Sequence, residues 1–249
     1  MTPEVKIKHA FLLAAGLGTR MENHTIHVPK PLLKIGGVPL IVYSLYTLKQ
    51  LGIEKVIINT HYLAEQIQSF LENATRKLPF SISISHETRI LGTAGGIKKA
   101  IMENMLPQDQ NFYLLNTDII LEPVAAKINP KLSPETLSFL YMKKKSTGNR
   151  ETGWDLSETQ AHINSDRGEY YYIGFSIINP VLFSRVLPYQ VTELGPLWIE
   201  ASKNNQLNGG IYPGEVVSCG NKSEYENMNN PLPVLMQNDP EFIEFCKLF

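Results

Sequence analysis

The segment Gly16-Leu-Gly-Thr-Arg20, which follows the short apolar run Ala10 to Ala15, has the residue types needed to hold an anion. Two glycines let a backbone turn tightly and aim N–H groups at an oxyanion, while Arg20 and the later Lys30 add fixed positive charge for phosphate oxygens. The loop is neither of the commoner phosphate cradles. No Gly-Lys-Ser/Thr closes it, and Met21 stands where a dinucleotide loop would place its third glycine. Taken alone, a Gly-x-Gly is equally compatible with a plain strand-to-helix turn. Asp118 follows directly on the strand-like segment Asn111 to Asn116 and offers a carboxylate suited to a hard cation such as Mg²⁺, although a lone aspartate there also commonly caps a turn.

These residues need a scaffold that brings strand ends together. From Lys8 onward, short apolar runs alternate with segments of helical period, the pattern of a parallel sheet covered by helices. Strands are predicted at Ala10 to Ala15, Lys55 to Thr60, Phe80 to Ile84 and Asn111 to Asn116. Helices are predicted from Pro39, over Leu63 to Leu71, and after Gly95-Gly96. The second half is less regular: strands at Leu137 to Met142, Tyr170 to Ile178 and Gly214 to Cys219, and helices at Val181 to Leu187, Leu194 to Lys203, near Lys222 and from Pro240 to Leu248. The expected fold class is α/β, a three-layer α/β/α sandwich with a mostly parallel, Rossmann-like sheet. In such sheets ligands bind beyond the carboxyl ends of the strands, where the Gly16 loop and Asp118 both fall. Without a repeat or low-complexity linker, residues 1–249 are expected to form one domain. Its more regular first half spans about 8–125, its second half about 126–229, and its C-terminal tail and helix 230–249.

Leu13-Ala-Ala-Gly-Leu-Gly-Thr-Arg20 followed by Lys30-Pro-Leu-Leu33 resembles the signature of sugar-1-phosphate nucleotidylyltransferases. Leu91-Gly-Thr-Ala-Gly-Gly-Ile97 is similar to the base-recognition loop of that family, Asn116-Thr-Asp118 to its metal-binding strand end, and Gly174-Phe-Ser-Ile-Ile-Asn-Pro180 to its sugar-side strand. The similarity runs from about Lys8 to about Asn229. It looks closest to short bacterial members of the N-acetylmuramate 1-phosphate uridylyltransferase and mannose-1-phosphate guanylyltransferase type, and no C-terminal β-helix is expected. The resemblance implies the nucleotide-diphospho-sugar transferase fold and direct displacement: a sugar phosphate oxygen attacks the α-phosphorus of a nucleoside triphosphate and pyrophosphate leaves. On that reading Arg20 stabilises the leaving pyrophosphate, Lys30 gathers the phosphates and Asp118 holds Mg²⁺. The resemblance also makes about 8–125 the nucleotide-binding half, with Leu13, Ala14, Ala15, Gly16, Gly18, Thr19, Gly92 and Thr93 lining the nucleotide, and about 126–229 the sugar-binding half, with Glu151, Gly153 and Gly174 lining the sugar.

The family's second metal carboxylate, from a late strand of the Val-Asp-x-Gly type, is replaced here by Val217-Ser218-Cys219-Gly220. Three consequences stay open: Glu215 or Asp155 substitutes, metal binding is weak, or the chain is a catalytically impaired regulatory homologue that binds nucleotide or nucleotide sugar. Glu87 stands where the family reads the base edge. A carboxylate only accepts hydrogen bonds, which favours UTP, dTTP or GTP, whose bases carry a ring N–H, over ATP and CTP.

The remaining features have plainer readings. Trp154 and Trp198 are expected to pack in the core, His24 and His27 to be loop residues without a third zinc ligand, and Lys143 to Lys145 to be a solvated run. With 249 residues, 43% of them hydrophobic, and a net charge of −1, the chain is neither disordered nor a polyanion binder driven by bulk charge, so nucleic acid is not expected as a partner. Two cysteines, Cys219 and Cys246, make no disulfide framework. No apolar stretch approaches a membrane span and the first residues lack a secretion signal, so a cytoplasmic location away from membranes is expected. The sequence does not indicate an oligomeric state. A nicotinamide-dependent oxidoreductase shares only the α/β pattern and is discarded.

Overall fold

The computed structural model describes residues 6–124, 128, 130, 132–145, 153–163, 168–228 and 234–249. In chain order the first half contains β1 (His9–Leu13), the short ribbon β2 (Lys34–Ile35) and β3 (Val38–Pro39), α1 (Leu40–Gln50), β4 (Lys55–Thr60), α2 (Ala64–Thr75), β5 (Ser81–His86), α3 (Gly92–Met102), β6 (Phe112–Asn116) and β7 (Ile119–Leu121). The second half contains β8 (Ser138–Lys144), β9 (Trp154–Ser157), β10 (Gln160–Ile163), β11 (Tyr170–Ile178), α4 (Leu194–Lys203), β12 (Leu207–Ile211), β13 (Val216–Ser218), α5 (Lys222–Asn227), α6 (Val234–Gln237) and α7 (Pro240–Cys246).

A nine-stranded sheet runs in the order β5-β4-β1-β6-β11-β8-β12-β10-β9. The strands β5, β4, β1 and β6 are parallel, as are β8 and β12; only β11 and β10 oppose the common direction. The sheet is therefore mostly parallel, as expected from the sequence.

The layering follows from the two-residue period of a strand. Along β1, Ala10 and Leu12 enter one core while Phe11 enters the other; Val56 and Ile58 oppose Ile57 in β4, and Tyr113 and Leu115 oppose Phe112 and Leu114 in β6. Helices α1, α2 and α7 cover the first face through residues such as Leu45, Ile67 and Phe242. Helices α3 and α4 cover the second through Ile97, Ala100 and Trp198. Because each central strand is buried on both sides, its sequence reads as an unbroken apolar run rather than an alternating one.

Several expected elements change on folding. The predicted helix over Val181 to Leu187 is a single 3-10 turn, Pro180–Phe183. The strand expected at Gly214 to Cys219 stays outside the main sheet and pairs antiparallel with β7 as a two-stranded ribbon, placing Ser218 opposite Ile119. The strand that completes the sheet beside β8 is β12, Leu-Asn-Gly-Gly-Ile, whose two glycines hid it from sequence patterns. Among the described residues no helix is long and apolar enough to cross a membrane.

Candidate active site

The carboxyl ends of β1, β4 and β6 meet at one cleft of about 360 Å³. Its floor is the loop after β1. The chain leaves Leu13, whose carbonyl accepts a hydrogen bond from Thr117 Oγ1 at 2.7 Å, and turns at Gly18 into a 3-10 segment, Thr19–Thr25. Gly18 has φ +68°, and a Cβ there would meet Thr25 Cγ2 at 2.9 Å, so both backbone and packing require glycine. Thr25 Oγ1 donates to Gly18 O at 3.0 Å, and Met21 N donates to the same carbonyl at 2.8 Å. The side chain of Met21 is fully buried and pins the turn to the core, which explains an apolar residue where a dinucleotide loop would have glycine. Gly16 has open space where a side chain would stand and leaves the floor clear.

Leu13, Ala14, Ala15, Gly16, Gly18, Thr19 and Arg20 line one side of the cleft; Lys30, Glu87, Gly92, Thr93 and Asp118 complete the set expected from the sequence. Lys30 Nζ donates to Asp118 Oδ2 at 2.6 Å and to Gly220 O at 3.1 Å. The pair is 12% and 20% exposed, so it is shielded yet open to a ligand from the cleft side. Behind it, burial and then the nearby Asp118 push the Cys219 thiol up to about 12, with Lys30 opposing. Cys219 is thus a neutral packing group.

The far wall is built by the N-terminus of α3 and the segment before α4. Thr192 N donates to Leu91 O at 2.8 Å, Gly95 N to Thr192 O at 3.1 Å, and Arg89 Nη2 to Tyr189 O at 2.7 Å. The approach is so close that a Cβ on Gly92, whose φ is +70°, would lie 2.6 Å from Thr192 O. This segment also brings Glu193 to the cleft beside Thr93.

Other expectations change. Glu87 reaches the cleft wall but does not hold its carboxylate free for a base edge: it is 1% exposed, with Oε1 accepting from Asn59 Nδ2 at 2.8 Å and Oε2 from Leu91 N at 3.0 Å. Gly174 lies outside the cleft lining. Its missing side chain makes room for Asn116, whose Nδ2 would be 3.0 Å from a Cβ, at the bulge in the pairing of β11 with β8, so packing against the neighbouring strand accounts for this glycine. Gly153 packs backbone to backbone against Gly168, where a Cβ would be 2.3 Å away, also outside the cleft lining. Glu151 lies outside the described residues.

Neither carboxylate considered as a replacement for the late-strand aspartate lines the cleft. Glu215 N donates to Glu122 Oε2 at 2.7 Å just beyond the end of the β7–β13 ribbon, and Asp155 sits on β9, the last strand of the sheet order. The carboxylate adjoining Ser218 is Glu224: Ser218 Oγ and Gly220 N each donate to its Oε2 at 2.7 Å. Trp154 and Trp198 form a buried edge-to-face pair with centroids 6.4 Å apart, as expected of core residues. His24 is less solvated than expected, with Nε2 3.1 Å from Glu226 Oε1 and its ring edge-on to Tyr225.

Asn116 and Thr117, quoted with Asp118 in the strand-end motif, and Gly220, quoted with the Ser218 segment, also line the cleft. Sequence reasoning missed Asn59 and Glu193: Asn59 stands near the carboxyl end of a strand, a signal available in the sequence, whereas Glu193 arrives from a distant segment and had none. Among the described residues no three His, Cys, Asp or Glu side chains are grouped to hold a metal. Asp118 with substrate phosphate oxygens and water nevertheless fits a hard dication, because Mg²⁺ needs only one or two protein carboxylates when it is bound to phosphates.

Residues 9–143, more than half of the chain, match the nucleotidyl transferase family model. The chain is 29% identical over 220 residues to the N-acetylmuramate α-1-phosphate uridylyltransferase of Neisseria meningitidis, covering 85% of this chain and 92% of that one. It is 34% identical over 113 residues to mannose-1-phosphate guanylyltransferase 1 of Arabidopsis thaliana, covering 45% of this chain but only 31% of the plant protein. A solved UDP-glucose pyrophosphorylase in complex with UDP-glucose superimposes with a TM-score of 0.74 over 90% of this chain and 97% of its own, at 18% identity. The resemblance read from the Gly16 loop, Lys30 and Asp118 therefore holds: the chain belongs to the nucleotidyl transferase family.

Proposed function

We propose that the protein transfers a nucleotidyl group from a nucleoside triphosphate to a sugar 1-phosphate, giving a nucleotide sugar and pyrophosphate. The observation that carries this reading is the convergence of Arg20, Lys30 and Asp118 with the Gly16 loop on one cleft. In phosphoryl chemistry the protein's main work is positioning and neutralising charge. The loop after β1 offers backbone N–H groups and Arg20 to the triphosphate, and Lys30 faces the point where sugar phosphate and α-phosphate must meet. Asp118 would hold Mg²⁺, which when bound neutralises charge on the phosphate oxygens. The Lys30–Asp118 pair keeps both groups ordered at the cleft before substrate arrives.

With Glu87 engaged by the protein, the carboxylate that lines the far wall of the cleft beside Thr93 is Glu193. An acceptor there keeps UTP, dTTP and GTP favoured over ATP and CTP. The sugar belongs over the second half of the sheet, about residues 126–229 of a single 1–249 unit, and the reaction fits the cytoplasm, where nucleoside triphosphates are available.

Pyrophosphate release with Mg²⁺, measured for UTP, dTTP, GTP, CTP and ATP against a panel of hexose 1-phosphates, tests the reading with Asp118→Ala as control. Turnover with one pair that falls by roughly 10²-fold or more in the variant supports it. Nucleotide binding by calorimetry without turnover for any pair would instead favour the regulatory homologue that Ser218 raises.

A further inference from the structure

Two buried polar side chains outside the chemistry of phosphate transfer join the two walls of the cleft. Asn59, the penultimate residue of β4, lies beside Leu13 of β1, and Glu87 follows β5; they are 3% and 1% exposed. Ala14 N donates to Asn59 Oδ1 at 2.8 Å, Asn59 Nδ2 donates to Glu87 Oε1 at 2.8 Å, and Leu91 N donates to Glu87 Oε2 at 3.0 Å. Ala14 opens the phosphate loop, and Leu91 is the residue that caps α3. The carboxylate fills the space left by Gly96 on that helix, where a Cβ would lie 2.5 Å from Glu87 Oε1 and 3.2 Å from Asn59 Nδ2. Negative charge at the amino end of α3 is favoured by the helix dipole.

The bridge has a fixed polarity. Its two ends are backbone N–H donors, so each end must present an acceptor, and the middle must match one donor with one acceptor. An amide at 59 with a carboxylate at 87 satisfies this. So does the reverse, a carboxylate at 59 with an amide at 87. Two amides leave an N–H facing the Leu91 N–H, and two carboxylates face each other across the middle. We propose that Asn59 and Glu87 are positioning residues that set the spacing between the phosphate loop and the N-terminus of α3, and that Glu87 acts on the nucleotide through this spacing rather than by reading the base. The proposal rests on the nucleotide-binding reading of the cleft but is independent of which sugar is used.

The reciprocal exchange isolates the bridge from every other property of the two residues. Glu87→Gln and Asn59→Asp are each nearly isosteric, and together they restore both the hydrogen-bond polarity and the net charge of the pair. Each single variant is expected to lower kcat/KM for the preferred triphosphate by roughly tenfold or more, because a buried polar group loses its partner. The double variant is expected to return to within about threefold of the wild type, a strong positive coupling in the cycle. The ranking of the five triphosphates is expected to stay the same in all of them. Amide hydrogen exchange in the free protein supplies a readout that needs no substrate. Peptides covering 13–20 and 88–95 should lose protection in the singles and regain it in the double, with thermal unfolding run alongside to register any variant that fails to fold. A single that unfolds while the double folds supports the bridge. The proposal is overturned if the losses in the double variant simply add, if the singles leave exchange and kcat/KM unchanged, or if Glu87→Gln reorders the triphosphates. Absence of nucleotide binding by the wild type would defeat the functional reading, while the exchange cycle would still decide whether the bridge holds the two loops.

Discussion

Lys30 and Asp118 come from segments far apart in the chain, yet Nζ and Oδ2 lie 2.6 Å apart in a shielded cleft. An ammonium placed there balances a half-buried carboxylate, and on the proposed reading it is preorganised for the phosphate charge that develops during transfer. Lys30→Met retains the aliphatic stem but removes the donor from Asp118 and Gly220. We expect kcat to fall roughly 10²- to 10³-fold in the pyrophosphate-release assay, the magnitude seen when a preorganised charge-stabilising donor is removed. An equal kcat in Lys30→Met and wild type would mean that the ammonium only pairs Asp118. The residue types here were legible in the sequence, because phosphate, lysine and aspartate chemistry does not depend on neighbours. What could not be read was that Glu87 is turned towards Asn59 and Leu91. A carboxylate in a loop looks the same whether its acceptors face a ligand or the protein.

At the scale of elements, β13 and the start of α5 explain why Ser218 is tolerated. Asn221 caps α5 by accepting from Glu224 N at 3.0 Å, and the Glu224 carboxylate reaches back to Gly220 N, Ser218 Oγ and Asn221 Nδ2. The Ser218 hydroxyl is therefore a donor within a helix-capping arrangement. Ser218→Asp would replace that donor with an acceptor opposite Glu224 Oε2, now 2.7 Å from Ser218 Oγ. We expect a loss of about 0.5–1 kcal/mol in urea unfolding, the scale of like-charge contacts at a solvent-exposed position, and no gain in turnover. Adding Glu224→Gln should recover most of the stability, since its amide can donate to the new carboxylate. A rise in turnover for Ser218→Asp alone would contradict this account. The element itself was foreseen as a strand. Its pairing with β7, and the approach of Glu224, depend on how α5 folds back, which no local pattern encodes.

At the scale of the molecule, α7 closes the core on the α1 side. Phe242 is fully buried, stacked on Tyr43 at 5.1 Å between centroids and edge-on to Tyr46 at 5.1 Å. Asp239 caps α7 and accepts from Tyr46 Oη at 2.7 Å, while Lys49 pairs with Glu241. Phe242→Ala should cost about 3–5 kcal/mol in denaturant unfolding, with kcat retained at temperatures where the variant remains folded. A loss below about 1 kcal/mol would show that α7 is peripheral to the fold. The sequence by itself determined the α/β class, the central strands and the residue types of the Gly16 loop, Lys30 and Asp118 that meet at the cleft: apolar runs buried on both sheet faces, and glycine, arginine, lysine and aspartate near strand ends, are local consequences of burial and charge. Only the tertiary structure decided the place of β12 in the sheet, the arrival of Glu193 at the cleft, the withdrawal of Gly153 and Gly174 from it, and the bridge through Asn59 and Glu87. Each of these is a contact between segments distant in sequence, fixed by packing and by the need of every buried donor and acceptor for a partner.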